Sequence, residues 1–474
     1  MAMRTSLRII AACTAMLLAS LAVASPILSA TLQDATVLRV GLVGRLSSLA
    51  DLTDGGVTSN LVMSMVADSL FSYSIPDRSV SPMLAEGWPD FAADGKSVKV
   101  KVRSGIDPSG SGLFGLQAVA SALQSRVPSA SGATVQADEA GNSLVFRFTS
   151  DASLFWDLFA FVPVYAVSAD GCPVGAGDPA YRFGTIESGG VVLHPNGGVS
   201  LPVLLRGYKD QVSMIQAFTE GAIDYCSTDL SRSSAQLKGP NWQSSPEAAV
   251  VLVLNPGSAA FSEAQARSSA LNLIDRPYIV LRTIPGRAIQ STGLYFSSNP
   301  STSGSIAMDG KAIRLISKSD RLDSLEMLCS MMVKAWWEAD GALVSLNLPS
   351  DKLNARARLE AGDYDAIVAT VWLRPGFTGL LDNLADGGLM QEYIKSDAAS
   401  ILKRLKAPKS FDDMKKAAEE LEGLLINRSV VLPLVRPVKT ELYRPQQFAG
   451  WRSAAGEPLI HTYRDFSGIY AIKP

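Results

Sequence analysis

Apolar and polar positions along the chain repeat with two periods, and the switches between them mark out the elements. Thr36 to Leu42 alternates as a first strand, and residues 58–70 carry apolar side chains at helical spacing. Asp94-Gly95 is a turn signal. Beyond it Val98, Val100 and Val102 alternate with Lys99, Lys101 and Arg103, a strand with one wet face. Leu116 to Leu123 reads as a helix and Ser143 to Phe148 as a strand. Gln211 to Ala222 forms an amphipathic helix with Val212, Ile215, Ala217 and Phe218 inward, stopped by Gly221. The apolar run Val250 to Leu254 reaches Asn255 in strand style. After a turn, Ser262 caps a helix whose apolar face carries Ala266, Ala270, Leu273 and Ile274.

From Ala312 the pattern alternates regularly: strand to Ile316, helix Ser324 to Trp337, strand Leu343 to Leu346, helix Lys352 to Glu360, buried strand Ala366 to Trp372. Such alternation is the mark of an α/β lobe. Met327, Met331 and Met332 fall at helical spacing and read as core. A further helix, Phe411 to Asn427, has Ser410 as cap and Asp412 and Asp413 near its positive end, and Val430 to Val435 follows as a strand.

At 474 residues the chain exceeds a single core and predicts roughly two to four domains. Hydrophobic content of 47% with 19% charge describes a packed globular protein. Formal charge is −2, and the absence of a Lys/Arg-rich block argues against a nucleic-acid partner. The N-terminus reads as an export signal, with Arg4 and Arg8, an apolar run Ile9 to Ala24, and cleavage after Ala24 or Ala30. Ile10-Ala11-Ala12-Cys13 fits a lipid-attachment box as letters, but most of the apolar run follows Cys13, the wrong order; an uncleaved anchor is the other alternative. After export three cysteines remain, Cys172, Cys226 and Cys329, which allows at most one disulfide and leaves the pairing open.

Catalytic chemistry finds little purchase. There is no Gly-x-Ser-x-Gly elbow and no phosphate loop, and His194 and His461 are the only histidines. An exported hydrolase would need one of them. Gly175-Ala176-Gly177-Asp178-Pro179-Ala180 imitates a dinucleotide fingerprint, but Pro179 blocks the helix that must open inside it. Neither His nor Cys shows metal-ligand spacing, so no metal, cofactor or enzyme activity is expected.

Several strings, in order, resemble extracytoplasmic solute-binding proteins of the peptide/nickel class, family 5, which serve ATP-binding cassette (ABC) importers. The most specific are Asn255 with Phe261, Glu263, Arg267 and Ile274-Asp275-Arg276, and Pro82-Met83-Leu84-Ala85-Glu86-Gly87-Trp88 followed by Asp94-Gly95 and Val102-Arg103-Ser104-Gly105. Weaker ones are the loop 173–181, the strand 191–196 and Gly221-Ala222-Ile223-Asp224. The resemblance implies an α/β, two-lobed periplasmic-binding-protein fold of the class II type with an extra α+β domain. It implies a discontinuous lobe I at 31–57, 182–254 and 440–474, the extra domain at 58–181, and lobe II at 255–439. The implied function is capture of a peptide-like or other small solute by hinge closure in the periplasm, and delivery to an ABC permease.

In peptide-binding relatives an Asp shortly after the strand-ending Trp holds the peptide ammonium. Here Trp372 is followed by Leu373-Arg374-Pro375-Gly376-Phe377, with Arg374 of opposite charge, so an anionic or neutral solute is expected. Wall candidates are Trp372, Arg374, Phe377, Tyr73, Tyr181, Tyr295 and Arg436. Arg267, Asp275 and Arg276 read as scaffold. Departures from the family pattern at 107–112, 176–180 and 373–377 leave open a degenerate binding protein that acts as a partner-binding or sensory module.

Overall fold

The computed structural model describes residues 37–450 and 470–471 apart from 54–55, 75–77, 108–111, 128–130, 170, 188–189, 198–200, 229–236, 238–239, 244–245, 284, 297–306, 320–323, 348–360 and 381–390. The export segment, Cys13, His461 and the helix expected at 352–360 lie outside the described residues.

In the first of two large sheets, the strand Leu38–Val43 lies between Val203–Tyr208 and Tyr225–Ser227, parallel to both. Gly190–Pro195 and Tyr181–Glu187 extend one side, Thr440–Tyr443 and Asn241–Gln243 the other. The crossover helix Gln211–Thr219 starts where the Asp210 carboxylate accepts from Ser213 N at 2.8 Å. Its inward stripe is Met214, Ala217 and Phe218. Val212, expected inward, is 58% exposed. The cap sets the helix phase, and Val212 falls on the wet side.

The second sheet is built around Ala248–Leu254, buried at all seven positions and antiparallel to Ala366–Trp372 and Val431–Pro437. Ala312–Ser317 and Leu343–Asn347 continue it on one side, Ala288–Gln290 on the other. Because side chains alternate along a strand, Val250, Leu252 and Leu254 enter one apolar cluster while Ala249, Val251 and Val253 enter another. This strand, which the expected lobe I included up to 254, pairs on both sides within the second sheet. The chain therefore passes between the sheets at 243–248 and returns at 437–440.

The hairpin around Asp94-Gly95 forms part of a third sheet, Asp90–Phe91, Ser97–Lys101, Ser143–Arg147 and Thr134–Asp138, antiparallel throughout and backed by the helix Leu116–Gln124. Val98 and Val100 point in, Lys99 and Lys101 out. Its core, with Phe146, Phe155 and Trp156, is continuous with one face of the second sheet and with the helix Phe411–Asn427. The false dinucleotide loop has a packing explanation: a Cβ on Gly175 would lie 1.8 Å from Val66 O. That glycine lets the chain touch the end of the helix Val57–Val66.

The opening of the second lobe differs in detail from the expected cap. The helix runs Ala264–Asn272, Glu263 precedes it without a side-chain cap bond, and Ser262 is exposed. Asn255 instead fixes the turn: Nδ2 donates to Tyr364 O at 2.9 Å and Oδ1 accepts from Gly257 N at 3.0 Å. Arg267 is buried and donates to the carbonyls of Phe261, Ser262 and Arg428. Arg276 reaches Ser291 O and Pro433 O. These side chains hold backbone.

Candidate functional site

The strand Ala366–Trp372 is buried apart from half-buried Thr370 until its last residue, and Trp372 emerges 45% exposed. An exposed indole closing a buried strand is costly apolar surface in water, which is what a ligand wall offers. The turn that follows is locked from below. Gly376 has φ +70°, and a Cβ there would come within 2.8 Å of Trp156 Cγ. Phe377, with φ +58°, is fully enclosed and stacks on Phe296 and Phe411 with centroids 5.6 and 6.2 Å away. Gly376 adopts this left-handed region freely, whereas Phe377 there costs on the order of 1–3 kcal/mol and persists because the packing over-determines it.

Arg374 sits on this turn with 48% of its side chain exposed, 3.8 Å from Asp157 Oδ1, which is 17% exposed. Asp157 belongs to the turn Trp156–Ala160 of the extra domain. An acid does therefore stand beside the Trp372 turn, but it comes from 217 residues earlier and already faces an arginine.

Tyr295, expected at the wall, is 4% exposed and lies beneath the turn. Its hydroxyl donates to Arg374 O at 3.2 Å and Trp372 O at 3.4 Å, so it fixes the backbone that carries both exposed side chains. Glu422, fully enclosed on the helix Phe411–Asn427, accepts from the N–H groups of Leu294, Tyr295 and Phe296. Burial pushes its carboxyl up while those three donors pull it down. Arg436 donates to Gly293 O and Leu294 O, and Arg78 reaches Leu294 O at 3.3 Å with its guanidinium over the Tyr295 ring. Burial lowers Arg436 to about 10 and also lowers Arg78. Segment 291–296 is thus held by an acid on its amides and three arginines, Arg276, Arg436 and Arg78, on its carbonyls. Glu422 and Arg78 were not singled out from the sequence; each meets its partners across more than 100 residues.

Of the seven candidates, the structure leaves Trp372 and Arg374 open to solvent and brings them together on one turn. Phe377, Tyr73, Tyr181 and Tyr295 are core, and Arg436 is a backbone clamp. Tyr73 is pushed up to about 12 by burial. Tyr181 packs with Leu38, Val40 and Val191 under the first sheet. Cys172, Cys226 and Cys329 are free thiols; Cys226 and Cys329 are buried and pushed up to about 12 by desolvation. Among the described residues no group of three or more His, Cys, Asp or Glu is placed to hold a metal ion. No helix among them is long and apolar enough to cross a membrane.

No protein-family model matches the chain, and no curated protein sequence matches it. Solved structures do. The MppA periplasmic murein tripeptide binding protein, in its unliganded open form, superposes with TM-score 0.71 at 14% identity, covering 93% of this chain and 98% of that one. A nickel ABC transporter protein from Bacillus halodurans gives TM-score 0.71 at 15% identity over 92% and 99%. The ABC transporter substrate binding protein CtaP from Listeria monocytogenes gives 0.61 at 16% over 92% and 99%. At such identities the likeness is one of fold, and the fold is that of the two-lobed α/β solute-binding proteins of the peptide/nickel class.

Proposed function

We propose that this protein is the periplasmic solute-binding component of an ABC importer, exported by residues 1–30, and that it captures a small solute without chemistry and presents it to a membrane permease. The observation that carries the reading is the coverage: the solved binding proteins match over nearly their whole length, both sheets and the third domain included. In this reading lobe I is 31–57, 182–243 and 440–474, the extra domain 58–181, and lobe II 248–439. Hinge closure about the two passages at 243–248 and 437–440 brings the lobes onto the solute.

Trp372 is the lobe II wall and Arg374 its charged group. The carboxyl ends of the parallel strands at 38–43 and 203–208 supply the opposing wall, the usual ligand edge of such sheets. With Asp157 already facing Arg374, the turn carries no spare carboxylate for a peptide ammonium. The solute is therefore peptide-like or smaller, and neutral or acidic. Mass spectrometry of ligand released from natively purified mature protein should give a reproducible small molecule of that kind. An empty cleft with a co-purifying protein partner would replace transport by a partner-binding role. Thermal stabilisation by unblocked di- to pentapeptides, with none from N-blocked or acidic ones, would overturn the charge assignment.

A further inference from the structure

A second cavity, of about 610 Å³, opens where the extra domain meets the helix Leu49–Thr53 of the first lobe. That volume lies in the range of small-molecule sites. Its apolar wall is Leu113, Phe114, Ala118 and Ala122, one flank of the helix Leu116–Gln124, and across it stands Val167, 48% exposed. The wall is rigidly placed. Gln124 accepts from Val135 N at 2.8 Å and donates to Ala133 O at 3.3 Å, pinning the helix end to its sheet.

Arg126 is the one charged residue among the described residues of the lining. Its guanidinium lies 3.4 Å from the centroid of the Tyr165 ring, and Tyr165 is itself fixed through its hydroxyl to Leu52 O. Nη1 of Arg126 is enclosed and meets no hydrogen-bond acceptor among the described residues. A guanidinium held flat on an aromatic ring at the edge of an apolar groove is preorganised for an anion. Desolvation lowers the Arg126 pKa, and Tyr165 offsets only part of that.

We propose that this groove is a second binding site, separate from the Trp372 turn, for an amphipathic monocarboxylate. The carboxylate pairs with Arg126, and an aliphatic or aromatic body lies along Leu113, Ala118, Ala122 and Val167. Ser121 at the rim offers a hydroxyl group to the head, whereas the Thr53 and Ser125 hydroxyls donate to Leu49 O and Ala122 O. The site does not depend on the identity of the transported solute, because no residue of it belongs to the turn 372–377.

Calorimetric titration of the mature protein with octanoate, 1-octanol and octylamine tests it. Octanoate should bind saturably and at least about tenfold more tightly than the alcohol or the amine. Arg126→Met, which keeps an unbranched side chain without the charge, should remove that preference. Ala118→Trp changes an exposed position and should block all octanoate binding by filling the groove. Trp372→Ala should leave it unaltered. Equal affinity for octanoate and octanol, or octanoate binding lost in Trp372→Ala and kept in Ala118→Trp, would overturn the proposal.

Discussion

Lys439 Nζ stands 2.7 Å from Glu247 Oε2, and the two residues lie on the two separate passages by which the chain moves between its sheets. Glu247 also accepts, through its carbonyl, from Leu373 N at 2.8 Å, the residue after Trp372. One pair thus fastens both passages to the turn that carries the exposed indole. The side chains are 26% and 23% exposed, between the surface and buried regimes. Lys439→Met should lower stability by about 1–2 kcal/mol, and adding Glu247→Gln should return part of it. A urea double-mutant cycle gives the coupling; a value near zero would leave the passages joined by backbone alone.

Glu441, on the strand just beyond the return passage, is fully buried and accepts from Tyr225 Oη and from Ser227 Oγ at 2.9 Å. Burial raises its pKa well above the ordinary glutamate value. A carboxyl raised on folding stabilises the fold while protonated and loses that contribution as pH rises from the unfolded pKa toward the folded one. Glu441→Gln keeps a neutral group at every pH. Its unfolding free energy should therefore gain on wild type with a slope of up to about 1.4 kcal/mol per pH unit above roughly pH 4.5. Parallel stability-against-pH curves for the two proteins would show that the buried acid does not titrate in this way.

Trp372 and Phe377 are five residues apart and should answer mutation oppositely. Trp372→Ala removes a half-exposed ring, so stability should change by less than about 1 kcal/mol while solute affinity falls by tenfold or more. Phe377→Ala empties a stacked, enclosed site and should cost about 3–5 kcal/mol. Thermal denaturation with and without the released solute separates the two. Stability lost at Trp372 with affinity intact would move that residue from wall to core.

The same contrast explains what the sequence could and could not disclose. Strand and helix periods located most elements, because burial of one face leaves a mark at every second or fourth letter. The run 248–254 shows no alternation, since both faces of its strand are buried; with no polar side to orient it, nothing local tells which sheet it joins. Tyr73, Tyr181, Tyr295 and Phe377 sit at lobe junctions and read as walls, yet each is buried by partners far along the chain. Asp157 meets Arg374 only because the extra domain packs on the second sheet, a contact no spacing encodes. The family strings served better as addresses within the fold than as ligand contacts. Arg267 and Arg276 spend their donors on backbone carbonyls, and Asp275 caps Tyr278 N at 2.9 Å.

Glu422 and Arg267 allow scaffold to be told from site support. Both are buried and each satisfies several backbone groups, so Glu422→Gln and Arg267→Met should each cost about 2–4 kcal/mol. Their effects on binding should part. Glu422 holds the amides of 294–296, and through Tyr295 Oη that segment fixes the carbonyls of Trp372 and Arg374. Loosening it lets the exposed pair drift, and a displacement of even about 1 Å weakens a preorganised site. Arg267 braces the start of the second lobe, at Phe261, Ser262 and Arg428, none of them on the turn. At a temperature where both variants remain folded, Glu422→Gln should bind the released solute at least about fivefold more weakly, and Arg267→Met should bind it as wild type does. Equal losses in the two variants would mean that the clamp on 291–296 supports the lobe as a whole and not the turn that bears Trp372.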